Sequence, residues 1–273
     1  MTQEGLYQQI HKKQSFLCVG LDTDVHRIPA HLQKSPAAVL DFNRAIIDVT
    51  HDLTIAYKPN LAFYESRGAT GWKELALTVE YIRSIDPEIF LIADAKRGDI
   101  GNTAGMYART FFEELDFDAV TISPYMGRDS VEPFLEYDGK WVILLGLTSN
   151  PGAEDFQFLP LKDGGKKLYQ EVIQKASQWA GPDRMMFVAG ATRAELISRI
   201  REIIPDHFLL VPGIGAQGGS LDEVVKAGMN DQCGLIVNSS RSILYADNSE
   251  SFAEKARANT LELQQAMSGH LSS

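Results

Sequence analysis

IFLIADAKRGDIGNT, residues 89–103, changes character twice within one short segment. Ile89 to Ala93 is an unbroken apolar run. It is too short for a typical helix and lacks the polar alternation of a strand wetted on one face. That is the pattern of a strand buried on both sides, as in a parallel sheet covered by helices. The run ends in charge at Asp94 and Lys96, and a helical pattern begins at about Gly101. Charged side chains at the carboxyl end of a buried strand, just before a helix, mark a βα junction.

The same shape recurs along the chain. Short apolar runs occupy 15–21, 53–58, 118–122, 141–147, 185–189, 207–211 and 233–238, making eight with residues 89–94. Helical candidates follow at about 36–51, 71–85, 101–115, 128–137, 165–180, 193–204, 221–228 and 252–267. Val39, Leu40, Ile46, Ile47 and Val49 form an apolar stripe in the first. Thr192 with Glu195, Ser220 with Glu223 and Ser251 with Glu254 have the spacing of capping boxes. Eight strand–helix pairs predict an α/β protein, a (β/α)8 barrel, with residues 1–273 as a single domain and a short helix over 2–12 before the first strand. A doubly wound sheet is the alternative, but Gly20-Leu21-Asp22 is not the glycine-rich turn that usually follows its first strand. The connections 22–35 and 148–164 are long, as lids over a site often are.

Composition limits the function classes. The chain has 273 residues, 44% hydrophobic and 23% charged, as ordinary globular proteins do. A net charge of −10 disfavours binding to nucleic acid as a polymer. No apolar run approaches the roughly 18 residues of a membrane span, and MTQEGLYQQIHKK lacks the apolar core of a signal peptide. Cys18 and Cys233 both fall in strand-like apolar runs and read as small core residues of a reducing compartment, so a cytoplasmic location is expected.

In a barrel the chemistry lies at strand carboxyl ends. Those ends carry Asp22, Lys58, Asp94 with Lys96, Ser149, Pro212 and Asn238-Ser239-Ser240-Arg241. Lys58, Asp94, Lys96 and Asp99 suggest an alternating Lys–Asp–Lys–Asp array, because buried charges are costly unless paired. A structural ion-pair cluster closing the barrel is the competing reading. PGIGAQGG, residues 212–219, is a glycine-rich loop leading to a helix, and Arg241 adds a fork of donors, which together suit a phosphate. Ser149-Asn150-Pro151-Gly152 would present a hydroxyl and backbone groups to a planar amide, though alone it is an ordinary turn. No histidine falls at a predicted strand carboxyl end, and the acidic residues lack metal-ligand spacing, so neither a metal nor a cofactor is expected. A Schiff-base barrel using Lys58 or Lys96 and a non-catalytic phosphometabolite binder are the rival readings.

Asp94-Ala95-Lys96-Arg97-Gly98-Asp99-Ile100, joined by the loops above, resembles the D-x-K-x-x-D-I motif of the orotidine 5′-phosphate decarboxylase family, most closely a bacterial subgroup. The resemblance runs from Gly20-Leu21-Asp22 to Ser240-Arg241-Ser242-Ile243. It implies a barrel that converts orotidine 5′-phosphate to UMP, the last step of de novo pyrimidine nucleotide synthesis, without a cofactor. It implies that Lys96 protonates C6 of the pyrimidine, Asp94 lies against the substrate carboxylate, and Lys58 bridges ribose and array. Asp22 would bind ribose hydroxyls, Ser149 the pyrimidine amide, and Gln217 and Arg241 the 5′-phosphate. Asp99, Ile100 and Thr103 would reach into the neighbouring site of a homodimer. Many members carry an apolar residue directly after the lysine, where this chain has Arg97.

Overall fold

The structure, a computed structural model, describes residues 1–162, 165–190, 193–214 and 219–271. Eight parallel strands close into a barrel in sequence order: β1 Leu17–Leu21, β2 Ala56–Pro59, β3 Phe90–Arg97, β4 Ala119–Ile122, β5 Trp141–Leu147, β6 Met185–Ala189, β7 Leu209–Pro212 and β8 Leu235–Ser239. The β1–β8 pairing, Leu17 beside Val237, seals the cylinder. A TIM barrel is therefore the architecture, and the doubly wound alternative is excluded. Nearly every strand position is buried, because side chains face either the barrel interior or the helical ring.

The helices are α1 Gln3–Lys13, α2 Ala38–Thr50, α3 Leu61–Glu65, α4 Gly68–Ile85, α5 Gly101–Arg109, α6 Glu132–Leu135, α7 Ala153–Phe156, α8 Leu168–Ala176, α9 Ala194–Ile203, α10 Leu221–Gly228, α11 Arg241–Leu244 and α12 Phe252–Leu271. In α2 the expected stripe is buried at Val39, Leu40, Ile46 and Ile47, with Val49 half-buried. Helix α5 continues as a π-helical turn, Thr110–Glu114. The expected helix over 128–137 is only a 3₁₀ turn, Arg128–Ser130, followed by α6.

Three local expectations change. Cys233 lies outside β8: with Gly234 it forms a left-handed turn, φ 66° and 64°, that feeds the strand. Both cysteines are free and buried, and burial pushes each thiol up to about 12. Ser220 is the N-cap of α10, but its side chain makes no capping hydrogen bond. At α9 the N-cap is Arg193, and Thr192 lies outside the described residues.

Candidate active site

Strand β3 is irregular where it matters. Its register with β4 shifts between Ala93 and Arg97. Lys96 takes a left-handed conformation, φ 47°, which typically costs a non-glycine residue about 1–3 kcal/mol. The backbone N–H of Lys96 donates to Thr121 Oγ1 of β4 at 2.8 Å, which holds the strained turn. Thr121 Oγ1 also lies 3.2 Å from Asp94 Oδ1.

Asp94 is the hub of the charged cluster. Lys96 Nζ donates to its Oδ1 at 2.5 Å and Lys58 Nζ to its Oδ2 at 2.7 Å. Asp22 stands 3.9 Å from Lys58 on the other side. Burial alone would raise the Asp94 carboxyl, but the two ammonium groups outweigh it and bring it down to about 2. Burial likewise opposes the charge on Lys58, and Asp94 and Asp22 outweigh it, so its ammonium is held above the ordinary lysine value. Lys58 is thereby kept protonated, which disfavours an imine there. Within one chain the array is Asp22–Lys58–Asp94–Lys96. Asp99 is not part of it: its Oδ1 accepts from the Ile100 backbone N–H at 2.8 Å.

A cavity of about 920 Å³ opens beside this cluster, at the carboxyl ends of the strands. Asp22, Lys58, Asp94, Ser149, Pro212, Ser240 and Arg241 are among the residues that line it. Ser240 reaches its place because residue 20 is glycine; a Cβ there would lie 1.9 Å from Ser240 Oγ. Asp22 is positioned by a buried polar network. Tyr64 donates to the Leu21 carbonyl at 3.1 Å, Thr23 donates to Asn43 at 2.6 Å, and Asn43 donates to Tyr64 at 2.9 Å. Gln217 lies outside the described residues. Ile100 is 48% exposed, Thr103 is exposed and Asp99 half-buried, and none of the three lines this cavity. His207 is buried at the opposite end of the barrel against Phe187.

Two site residues, Thr121 and Tyr245, stand outside the strand-end reading, whereas Asn238 belongs to it. Thr121 is the lone hydroxyl in an apolar run, and that was its signal. Asn238 lines the cavity, buried, with Oδ1 unpartnered among the described residues while Nδ2 donates to Ser240 Oγ at 3.3 Å. Tyr245 clamps the loop after β1, donating to the Asp22 carbonyl and accepting from the Asp24 N–H, each at 2.8 Å. Arg27 stacks 3.9 Å above its ring. No local pattern in the sequence marks Tyr245, whose partners are more than two hundred positions away.

A closed (β/α)8 barrel with a Lys–Asp array and an arginine at the mouth of one large cavity is the plan of a barrel enzyme for a small anionic substrate. Residues 15–256 match the family described as orotidine 5′-phosphate decarboxylase / HUMPS, and the chain belongs to this family. It is 59% identical over 271 residues to an orotidine 5′-phosphate decarboxylase of Bacteroides fragilis, covering 99% of this chain and 98% of that one. A Flavobacterium johnsoniae relative of the same name is 57% identical over 267 residues, covering 98% and 97%. Among solved structures, Leishmania donovani OMP decarboxylase superposes with a TM-score of 0.81 at 35% identity, covering 97% of this chain and 99% of that one.

Proposed function

We propose that the Lys58–Asp94–Lys96 array performs the decarboxylation of orotidine 5′-phosphate to UMP, the final step of pyrimidine nucleotide synthesis. One observation carries the reading: two ammonium groups, at 2.5 and 2.7 Å, share one buried carboxylate at the wall of the large cavity.

The reaction breaks the bond between C6 and its carboxylate. The electron pair stays on C6, CO2 departs, and a proton must arrive there. No adjacent π-acceptor spreads that charge, so stabilisation falls to fixed groups around the carbon. Lys96 supplies an ammonium that stabilises the developing carbanion and then gives it a proton, becoming a neutral amine that solvent recharges. Asp94 presses a carboxylate toward the reacting carboxylate, and loss of CO2 relieves the repulsion. Lys58 holds Asp94 ionised and reaches the ribose beside Asp22. Ser149 reads the pyrimidine amide. Arg241, with Pro212, Ser240 and Gln217, binds the 5′-phosphate far from C6, and that binding energy drives loop closure and orientation. The array needs neither metal nor imine. Residues 1–273 act as one barrel domain, in the cytoplasm.

The functional unit is a homodimer in which Asp99, Ile100 and Thr103 complete the partner's site. Its support is the exposure of Ile100 and Thr103 together with other exposed apolar residues of these loops: Ile100, Met106, Tyr125 and Met126 are 48%, 52%, 87% and 48% exposed. Gly98 abuts Ser123, so the turns after β3 and β4 form one surface.

The deciding experiment is a spectrophotometric assay with orotidine 5′-phosphate in excess EDTA. Full turnover is expected; a lysine–substrate adduct trapped by borohydride, or inactivation by chelation, overturns the mechanism. For the shared site, Lys96→Ala and Asp99→Ala proteins are mixed and allowed to exchange subunits. Half the dimers are then mixed and half their sites intact, so roughly a quarter of wild-type activity returns. If Asp99 serves its own chain, none returns.

A further inference from the structure

Arg97 follows the left-handed Lys96, and its side chain is aimed away from the cavity. Its guanidinium pairs with Glu65 at the end of α3. It lies 5.2 Å from the Tyr107 ring on α5 and 5.5 Å from the Phe111 ring on the π-helical turn. Its Nη1 donates back to the Ala95 carbonyl at 3.1 Å, inside the turn that bears Asp94 and Lys96. Its own carbonyl accepts the Ser123 N–H of the next loop at 2.7 Å. Arg97, itself next to the strained residue, thus reaches back to the carbonyl on its other side and contacts α3, α5, the π-helical turn and the loop after β4. A planar guanidinium can stack on rings and form in-plane hydrogen bonds at once, which an ammonium cannot.

We propose that Arg97 is a positioning residue for Lys96. The guanidinium anchors the end of β3 to α3 and α5, so that the left-handed turn persists and the Lys96 ammonium stays on Asp94. Without the anchor the turn relaxes toward ordinary strand geometry, and the ammonium moves off the reaction centre while the rest of the cavity is unchanged. This inference rests on the assignment of Lys96 as proton donor.

The test separates chemistry from binding. In Arg97→Ala, kcat on orotidine 5′-phosphate falls at least tenfold, while the dissociation constant of UMP stays within about threefold of wild type. Millimolar guanidinium, too dilute to denature, restores part of kcat, and Arg97→Lys restores less than the natural residue. Glu65→Gln, which removes the partner but leaves Arg97, lowers kcat about threefold with the same split, and serves where Arg97→Ala does not fold. If kcat stays within twofold in the folded variants, or if kcat and UMP affinity fall together, Arg97 is merely structural and the proposal is overturned. Failure of the underlying assignment looks different: Lys96→Ala would then retain turnover.

Discussion

The two ends of the barrel use the same cations in opposite ways. At the amino-terminal end, Arg201 is saturated by backbone: it donates to the carbonyls of Gly228, Ile204, Pro205, His207 and Gly234 at 2.7–3.0 Å. Arg83 does the same with Pro87, Ile89 and Asp116 while pairing with Asp118. Lys13 spends its ammonium on two carbonyls and Asp86. At the carboxyl-terminal end, the ammonium groups of Lys58 and Lys96 donate to carboxylates and, among the described residues, to no carbonyl. Arg241 is exposed, and Oδ1 of Asp22 and Oδ1 of Asn238 have no hydrogen-bond partner among the described residues. A saturated cation closes helix ends and has nothing left for a ligand. Cations with spare donors beside acceptors that make no hydrogen bond among the described residues are what a site for a charged, hydroxyl-bearing molecule requires.

That contrast orders the expected effects of substitution. Lys96→Ala should lower kcat by about 10³-fold or more, roughly 4 kcal/mol, with little change in melting temperature. UMP should still bind. A comparable fall in stability instead would make the mouth cluster another structural closure. Arg201→Ala should do the reverse, costing about 3 kcal/mol of stability by orphaning carbonyls while kcat of the folded protein holds. Chemical denaturation paired with the activity assay reads both.

Arg241→Ala should be a smaller effect of a third kind. Losing one charged phosphate contact costs about 2 kcal/mol, a roughly thirtyfold higher KM, with a lesser loss in kcat. If phosphate and UMP bind the variant as they bind wild type, the anion end of the cavity is misplaced.

The smallest effect is acid sensitivity. Asp94 is held down to about 2 in the folded protein, below its value in an unfolded chain. Its contribution to stability is therefore present at neutral pH and fades as pH falls from about 4 toward about 2. The loss amounts to about 1–2 kcal/mol. Urea midpoints at pH 6, 4 and 3 should show a steeper decline in wild type than in Asp94→Asn. Equal slopes would mean that Asp94 is not the titrating group.

The barrel was legible because burial writes a local signature. A strand covered on both faces is a short apolar run, and an outer helix an amphipathic one, so all eight pairs could be found in order. Their ends were less legible. Residues 53–55 look like strand, yet β2 begins at Ala56, and Thr54 turns its hydroxyl onto the Leu17 carbonyl at 2.6 Å. The short helices α3, α7 and α11 went unforeseen because four or five residues carry no resolvable period.

The charged cluster divides along the same line. Lys58, Asp94 and Lys96 are conspicuous in sequence because each interrupts an apolar run at its carboxyl end, and such a charge needs a partner or a use. Period-two alternation accounts for neither the shifted register of β3 nor the left-handed turn at Lys96. Those depend on Thr121, twenty-five positions away, and on Arg97 finding Glu65 and two rings. Asp99 reads as a fourth member of the array and stands outside it, its carboxylate accepting instead from the Ile100 N–H. Hydrophobic period is a property of neighbours along the chain and can be read from one segment. The choice of which donor finds which acceptor is a relation through space between distant segments, and it exists only once the barrel has closed.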